Sequence, residues 1–295
     1  MAASDRFHIG TGVSYALATS VVASVVASTA AATAKLLAAD LSAWLIVWVQ
    51  YGLCTLVMLP WVLRQGVAAL ASERWRLLVV RSLAGWLGFT TYYLALPHIP
   101  LVDASLLRSA APLWVPLLVF AWLGEHVPAI RWVALGTGFI GVCLVLRPEL
   151  EGINPGHLLG LAAGLFLAAS MATTRALSAS EPASRVLFYY FGVSFLAASP
   201  MAIVHWQPVS PGHLPGLLYI GLSIFLTMVL YTRAYSLAPT SIIAPLSYIA
   251  VPCAAVLDWW LWGALPDAWS MAGSVLVVAS GVLAFTLRGS STGDH

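Results

Sequence analysis

Long apolar segments alternate with short polar breaks along the whole chain of 295 residues. A helix that crosses a membrane needs about 20 apolar residues, and segments of that length recur from one end of the chain to the other. We place ten of them, at residues 12–37, 41–63, 75–96, 101–123, 128–146, 157–177, 183–205, 214–237, 241–261 and 267–287. The breaks hold many of the charged residues and turn formers and are too short for a soluble domain. The pattern predicts an all-α membrane protein with ten transmembrane helices.

Composition supports that interpretation, because 61% of the residues are hydrophobic and only 8% are charged. A soluble domain cannot bury that much apolar surface. The 3 cysteines and 7 histidines have no metal-ligand spacing, and no basic cluster suits nucleic acid. We therefore expect no cofactor, no metal and no nucleic-acid partner, and the lipid bilayer as the surroundings.

The positive charges predict the orientation, since they concentrate on the cytoplasmic side of membrane proteins. With both termini in the cytoplasm, only Lys35, Arg108 and Arg147 lie towards the other side. The remaining basic residues are cytoplasmic: Arg6, Arg64, Arg74, Arg76, Arg81, Arg131, Arg175, Arg185, Arg233 and Arg288. This bias predicts a multi-pass protein of the cytoplasmic (inner) membrane.

The chain also repeats itself at an offset of about 140 residues. Matching positions include Lys35 with Arg175, Gly52 with Gly192, Pro60 with Pro200, Pro112 with Pro252, Tyr92 with Tyr231 and Pro100 with Pro239. Five helices per repeat is an odd number, so the second copy enters the membrane from the opposite side. We expect two inverted halves, residues 1–150 and 151–295, around a central cavity, which is an architecture of secondary transporters.

Two runs carry a resemblance to a known family: "YYLALPHIPLVDASLLRSAAPLWVPLLVFAWLGE" at 92–125 and "RWVALGTGFIGVCLVLRP" at 131–148. Within the two-copy arrangement they resemble the EamA-type transporters of the drug/metabolite transporter superfamily, including its YddG-like amino-acid exporters. The resemblance implies ten helices, cytoplasmic termini, a central cavity and alternating access by small metabolites, commonly amino acids leaving the cell.

Prolines interrupt two segments that correspond in the repeat. Pro112 and Pro116 lie in the fourth segment, and Pro245 and Pro252 lie in the ninth. Proline removes a backbone donor and usually bends a helix. Paired, interrupted helices in the two halves point to a transporter's binding site, with these prolines as gating or kink residues. The alternative is that they only shape the helices, because membrane helices tolerate proline.

Arg108 precedes one of these breaks by about one turn and lies roughly 10 Å below the outer boundary. A guanidinium at that depth costs a few kcal/mol unless it is paired or faces water. Asp103 is on another face of the helix, whereas Asp40 and Asp258 lie towards the same side of the membrane. Arg108 thus either forms a structural ion pair or binds a carboxylate of the substrate.

Aromatic and hydroxyl side chains complete the predicted pocket. Trp86, Phe89 and Tyr93 share one face of the third segment, while Tyr231 lies in the eighth. In the ninth, Ser247 and Tyr248 lie beside the break. Such stripes can equally serve helix packing.

The acidic residues favour a substrate class. All 11 lie in loops, in tails or near segment ends, so no deep carboxylate is available to bind a cation. A deep arginine suits an anionic or zwitterionic small molecule. We expect an exporter of amino acids or similar metabolites. The alternatives are an importer of a small organic anion or nucleoside-like metabolite and, more remotely, an intramembrane enzyme.

Overall fold

The computed structural model describes residues 2–111, 113, 114, 118, 129–146, 154–178, 180–237, 243 and 246–289. Within these ranges the chain is helical and contains no β-strand. The described α-helices are α1 (Ala2–Leu37), α2 (Ala43–Gln65), α3 (Trp75–Ala95), α4 (Leu101–Ser109), α5 (Ala129–Leu146), α6 (Pro155–Ser178), α7 (Ala183–Val204), α8 (Leu214–Leu237), α9 (Ala250–Trp262) and α10 (Ala268–Gly289). Helix is therefore found in each of the predicted apolar segments.

Most helix ends agree with the predicted boundaries, and local chemistry accounts for some of them. The side chain of Ser42 accepts a hydrogen bond from the backbone of Leu45, which caps the start of α2. Gly263 ends α9 in the left-handed conformation, with φ of 66°. The differences are at α1, which begins at Ala2 rather than near residue 12, and at the fourth and ninth segments, which are broken.

Five helical stretches are long and apolar enough to cross a membrane, counting only the described residues. They are Ser14–Leu37, Ala43–Gln65, Pro155–Ser178, Ala183–Val204 and Pro211–Ala234. Many of their large apolar side chains, such as Leu63 and Ile203, lie on the outside of the bundle, where lipid can cover them.

The helices of one half pack mainly on helices of the other half. Helix α3 lies along α6, and its counterpart in the repeat, α8, lies along α1. The pairs α2 with α7, α4 with α9 and α5 with α10 each join equivalent helices. Each half therefore uses equivalent helices to contact the other, as expected of two related units.

Small residues allow α4 to approach α6 closely. A Cβ atom on Gly164 would lie 2.5 Å from the carbonyl oxygen of Leu107 and 3.5 Å from that of Arg108. Any larger side chain at this position would push the two helices apart. The backbone around Arg108 is thus held against the second half of the chain.

An ion pair ties three helices together at one end of the bundle, which we call the Asp258 end. The carboxylate of Asp258 accepts from Lys35 Nζ at 3.2 Å and from the backbone of Val102 at 2.7 Å. Lys35 also donates to the carbonyl of Ile99 at 3.2 Å. Because Asp258 is fully buried, α1, α9 and the start of α4 are held together by charge as well as by packing.

The opposite end, which we call the Arg185 end, has its own ion pair. Arg185 donates to the carboxylate of Glu181 at 2.7 Å and to the carbonyl of Ala69 at 2.6 Å. The hydroxyl of Ser72 donates to the same carboxylate. These contacts join the start of α7 to the segment between α2 and α3.

Candidate functional site

The two broken elements meet inside the bundle. Helix α4 ends at Ser109, one residue after Arg108. A 3-10 turn at Ser247–Ile249 precedes α9 and packs on α1 and α4. The break therefore lies before Pro252, which occupies the first turn of α9, where a missing N–H costs little. Pro112, Pro116 and Pro245 lie outside the described residues.

Arg108 is partly buried and lies against two aromatic rings of α3. Its guanidinium carbon is 4.2 Å from the ring centroid of Phe89 and 4.9 Å from that of Tyr92. A desolvated contact of this kind contributes about 2 kcal/mol. The Nε of Arg108 is sealed from water and has no hydrogen-bond partner among the described residues. The rings stabilise the charge, but its hydrogen-bonding capacity is not fully used.

The acids that could neutralise Arg108 are engaged elsewhere. Asp258 pairs with Lys35, and Asp40 lies 3.4 Å from the ring of His213. Asp103 faces His157, with 3.9 Å between the carboxylate and Nε2. Within the described part of the chain, Arg108 has no carboxylate within ion-pair distance. Of the two hypotheses for Arg108, a structural ion pair finds no support in the described contacts.

Of the predicted aromatic face of α3, Phe89 contacts this arginine, and Tyr93 packs on Phe89. The rings of Phe89 and Tyr93 meet edge to face, with centroids 5.9 Å apart. Tyr93 is 2% exposed and donates to the side-chain oxygen of Gln50 at 2.7 Å. Trp86 is partly buried one turn earlier, and its indole N–H has no partner among the described groups.

The predicted residues of the second half are linked through α1. Ser24 shares a hydrogen bond of 2.8 Å with Tyr231 and donates to the carbonyl of Leu246 at 3.1 Å. That carbonyl directly precedes Ser247, the first residue of the 3-10 turn. The 3-10 turn also packs on α4, the helix that carries Arg108. The structure thus brings Arg108, Tyr231 and the 3-10 turn into one region.

Several buried donors in this region lack partners. Besides Arg108 Nε and the indole N–H of Trp86, the hydroxyl of Tyr248 is buried without a hydrogen bond, as judged within the described structure. Leaving such a group unpaired costs about 1–3 kcal/mol. All are sealed from water in this conformation. Oxygen atoms of a ligand that entered between the helices could accept from them.

Sequence reasoning missed Arg81, Tyr190 and Tyr51. Arg81 is 7% exposed, and its guanidinium lies 3.8 Å from the ring centroid of Tyr190. The hydroxyls of Tyr190 and Tyr51 are 3.0 Å apart. Arg81 was assigned to the cytoplasmic boundary with the other positive charges. Arg81 lies about 9 Å into α3, a depth similar to that of Arg108 in its own helix. This depth could have identified it as a candidate site residue.

A pocket of about 320 Å³ lies away from this region, between α2 and α7. Its lining is almost entirely apolar and includes Thr55, Phe188, Gly192 and Leu196. It contains none of the predicted site residues. A pocket with so few polar groups offers nothing to orient a charged metabolite.

No three His, Cys, Asp or Glu side chains come together as metal ligands in the described ranges. The arrangement around Arg108 instead combines one fixed positive charge, aromatic faces and unpaired donors. These groups can hold a small anionic or zwitterionic molecule with an apolar portion.

Comparison with known proteins identifies one family of transporters. The EamA-like transporter family matches residues 13–147 and again 154–286. The pseudopaline exporter of Pseudomonas aeruginosa is 33% identical over 225 residues, which cover 74% of this chain and 78% of the exporter. An S-adenosylmethionine uptake transporter of Rickettsia prowazekii is 26% identical over 224 residues, with 76% of each chain covered.

A riboflavin transporter of Vibrio cholerae is 26% identical over 236 residues, with 79% of each chain covered. A solved crystal structure shares the fold with a TM-score of 0.61 and 18% identity, covering 94% of this chain and 99% of its own. Each of the two family matches covers five of the described helices. The chain belongs to the EamA-like transporter family and is a multi-pass membrane transporter.

Proposed function

We propose that this protein is a secondary transporter that exports amino acids or similar small metabolites across the cytoplasmic (inner) membrane by alternating access. The pseudopaline exporter, at 33% identity, supports the outward direction. The observation that carries the proposed substrate class is the setting of Arg108. This partly buried cation contacts aromatic rings, and its Nε has no hydrogen-bond partner among the described residues. An acidic group on a metabolite supplies the missing partner.

The proposed architecture has ten transmembrane helices in two inverted halves, residues 1–150 and 151–295, with both termini in the cytoplasm. The described packing supports it, because α3 with α6 repeats as α8 with α1. The distribution of arginines supports an orientation with the Arg185 end in the cytoplasm and the Asp258 end outside.

In the proposed mechanism the substrate binds where the halves meet. The planar guanidinium of Arg108 holds the acidic group through two parallel hydrogen bonds. Phe89 and Tyr93 contact the rest of the molecule, while Trp86 and Tyr248 donate to its polar atoms. Ser247 and Tyr231 border the same region from the second half. These roles deal with binding and orientation, which is the chemistry that transport requires.

Alternating access needs one end of the bundle to open while the other is closed. In this structure Lys35, Asp258 and the start of α4 hold the Asp258 end together. Release to the outside therefore requires Lys35 and Asp258 to separate. Because α4 carries Arg108, movement of its start also shifts the binding group.

A second candidate function is import of a small organic anion or a nucleoside-like metabolite. It is favoured by the S-adenosylmethionine uptake transporters, which are 25–26% identical to this chain. Both functions use the same site and differ in the direction of the driving gradient. An intramembrane enzyme is a remote third candidate, since the related proteins are named as transporters.

The test is comparative metabolite profiling of cytoplasm and medium in cells that express the native chain, Arg108→Ala or Arg76→Ala. Arg76 is an exposed arginine near the start of α3 and serves as the matched control. Export predicts a compound that accumulates in the medium with the native chain and the control but not with Arg108→Ala. Depletion from the medium would establish the importer instead. A newly processed lipid or peptide without altered flux would indicate an enzyme.

A further inference from the structure

Arg81, like Arg108, is a cation that lies against an aromatic ring between helices. Arg81 is near the start of α3, whereas Arg108 packs against the second half of that helix. Arg81 is 7% exposed, and its Nε donates to the hydroxyl of Thr174 at 3.1 Å. One terminal nitrogen, Nη1, is sealed from water and has no partner in the described structure. Among the described residues no carboxylate lies within ion-pair distance of it. A second cation is thus buried with incomplete hydrogen bonding.

A glycine in α3 makes room for the contact between Arg81 and Tyr190. Arg81, Gly85 and Phe89 are spaced by four residues, so they share one face of the helix. A Cβ atom at Gly85 would lie 2.5 Å from the ring of Tyr190. The glycine therefore forms a notch that holds this ring against α3, where the ring contacts Arg81.

Tyr51 continues the row of rings from Tyr190 to Phe89. Its ring centroid is 5.4 Å from that of Tyr190 and 6.3 Å from that of Phe89. Its hydroxyl hydrogen-bonds to the Gly85 carbonyl at 3.2 Å and to Tyr190. We call Tyr190, Tyr51 and Phe89 the aromatic row. It has Arg81 at one end and Arg108 at the other.

The two arginines lie along one side of α3, close enough for a single ligand to reach both. Arg81 and Phe89 are eight residues apart, which corresponds to about 12 Å along the helix. The ring of Tyr190 contacts Arg81, and that of Phe89, at the other end of the aromatic row, contacts Arg108. Two uncompensated positive charges between membrane helices repel each other and are expensive to bury. A ligand with one negative charge at each end would relieve both costs.

We propose that Arg81 forms a second anion-binding point, so that the substrate carries two acidic groups about 12 Å apart joined by an apolar or aromatic spacer. This inference rests on the proposed function, in which Arg108 binds the first acidic group. The aromatic row provides the surface along which the spacer lies. Because the unpaired nitrogens are sealed here, the ligand enters when the helices separate.

The experiment measures binding to the purified full-length chain in lipid nanodiscs by isothermal titration calorimetry. The probes are sebacate, a long α,ω-dicarboxylate, and its monomethyl ester, which has the same length but one charge. Succinate, whose carboxylates are much closer together, is the length control. The protein variants are Arg81→Gln, Arg81→Lys, Arg108→Gln and the exposed control Arg76→Gln.

The native chain and Arg76→Gln are expected to bind sebacate about tenfold or more tightly than the ester or succinate, which is the effect of one charge-assisted hydrogen bond. Arg81→Gln should lower the sebacate affinity to that of the ester and leave the ester affinity unchanged. Arg81→Lys, which keeps the charge, should retain part of the preference. A purely structural arginine would change both affinities together.

Three results would overturn the second anion-binding point: no sebacate binding, equal affinities for sebacate and ester in the native chain, or equal losses for both probes in Arg81→Gln. None of these affects the proposed function, because the ester tests Arg108 separately. Ester binding that Arg108→Gln leaves unchanged would instead count against Arg108 as the first anion-binding group. Metabolite profiling tests transport without either probe.

Discussion

The guanidinium of Arg108 lies 4.2 Å from the ring centroid of Phe89, while its Nε has no hydrogen-bond partner within the described structure. An aromatic face stabilises a positive charge without using its N–H groups. The side chain is thus positioned by α3 and still able to bind an acceptor. Such a site can bind an acidic ligand without first breaking an ion pair.

Gly85 is expected to be essential for the position of Tyr190. In Gly85→Ala the new Cβ would lie 2.5 Å from the tyrosine ring, so the ring must move. Overpacking of this kind costs about 1–3 kcal/mol. Thermal unfolding in detergent should show the loss. Gly192→Ala, in α7 with no atom within 4 Å of the added Cβ, should unfold like the native chain.

A Gly85→Ala variant with native stability would mean that Tyr190 does not occupy the notch. Reduced sebacate affinity in the folded variant would be the accompanying functional effect, since the ring between the two arginines is displaced. The ester affinity should change less, because the displaced ring of Tyr190 contacts Arg81, whereas Arg108 contacts Phe89 one turn further along α3.

Asp258 should matter more for stability than Lys35. Asp258→Leu removes the counter-ion of Lys35, which keeps its contact with the Ile99 carbonyl, and leaves the backbone N–H of Val102 unpaired, whereas Lys35→Met leaves the carboxylate its contact with Val102. Removing one partner of a buried pair costs about 3–5 kcal/mol. Thermal unfolding of the two single variants and of the double variant measures the coupling. Additive losses in the double variant would show that the two side chains are not coupled.

Ser24 is expected to hold Tyr231 and the 3-10 turn in place. Ser24→Ala removes the contacts at 2.8 Å to Tyr231 and 3.1 Å to the Leu246 carbonyl, with a loss of about 1–2 kcal/mol. Transport should fall as well, since both elements border the proposed site. The control is Thr33→Val on the same helix, because among the described residues its hydroxyl bonds to the Thr29 carbonyl alone. Equal transport by both variants would argue against the role of Ser24.

The Arg185 end should weaken in acid. The hydrogen bond from Ser72, together with Arg185, lowers the pKa of Glu181 below its ordinary value of 4.5. A lowered pKa in the folded state gives stability that is present above that ordinary value and is lost as the pH falls through the folded pKa. Glu181→Gln should therefore lose less stability than the native chain below about pH 4.5, as measured by thermal unfolding. An identical acid dependence would contradict this assignment.

Much of the fold was predictable because apolar length alone determines where helices can cross a bilayer. The predicted segments 183–205 and 214–237 agree closely with Ala183–Val204 and Leu214–Leu237. Arg108 was identified for a similar reason, since a charge about 10 Å inside an apolar helix requires an explanation.

The remainder of the site depends on contacts between helices, which the sequence does not reveal. Tyr51 and Tyr190 are 139 positions apart, which is close to the repeat offset, but the repeat alone does not predict that α2 and α7 pack so that these hydroxyls meet. The pairing of Lys35 with Asp258, rather than of Arg108 with an acid, likewise depends on how α1 and α9 pack. Arg81 was missed because its charge was counted as an orientation signal instead of being weighed by depth.

The role of Arg108 is tested most directly by transport of the compound found by profiling, measured in proteoliposomes with native protein, Arg108→Lys, Arg108→Ala and the control Arg76→Ala. Arg108→Ala is expected to lose about tenfold or more of the transport rate, whereas Arg108→Lys should retain much more of it and the control should be unaffected. Equal losses in the Lys and Ala variants would assign the effect to guanidinium geometry instead of charge. Native transport by correctly folded Arg108→Ala would contradict the claim that Arg108 binds the substrate.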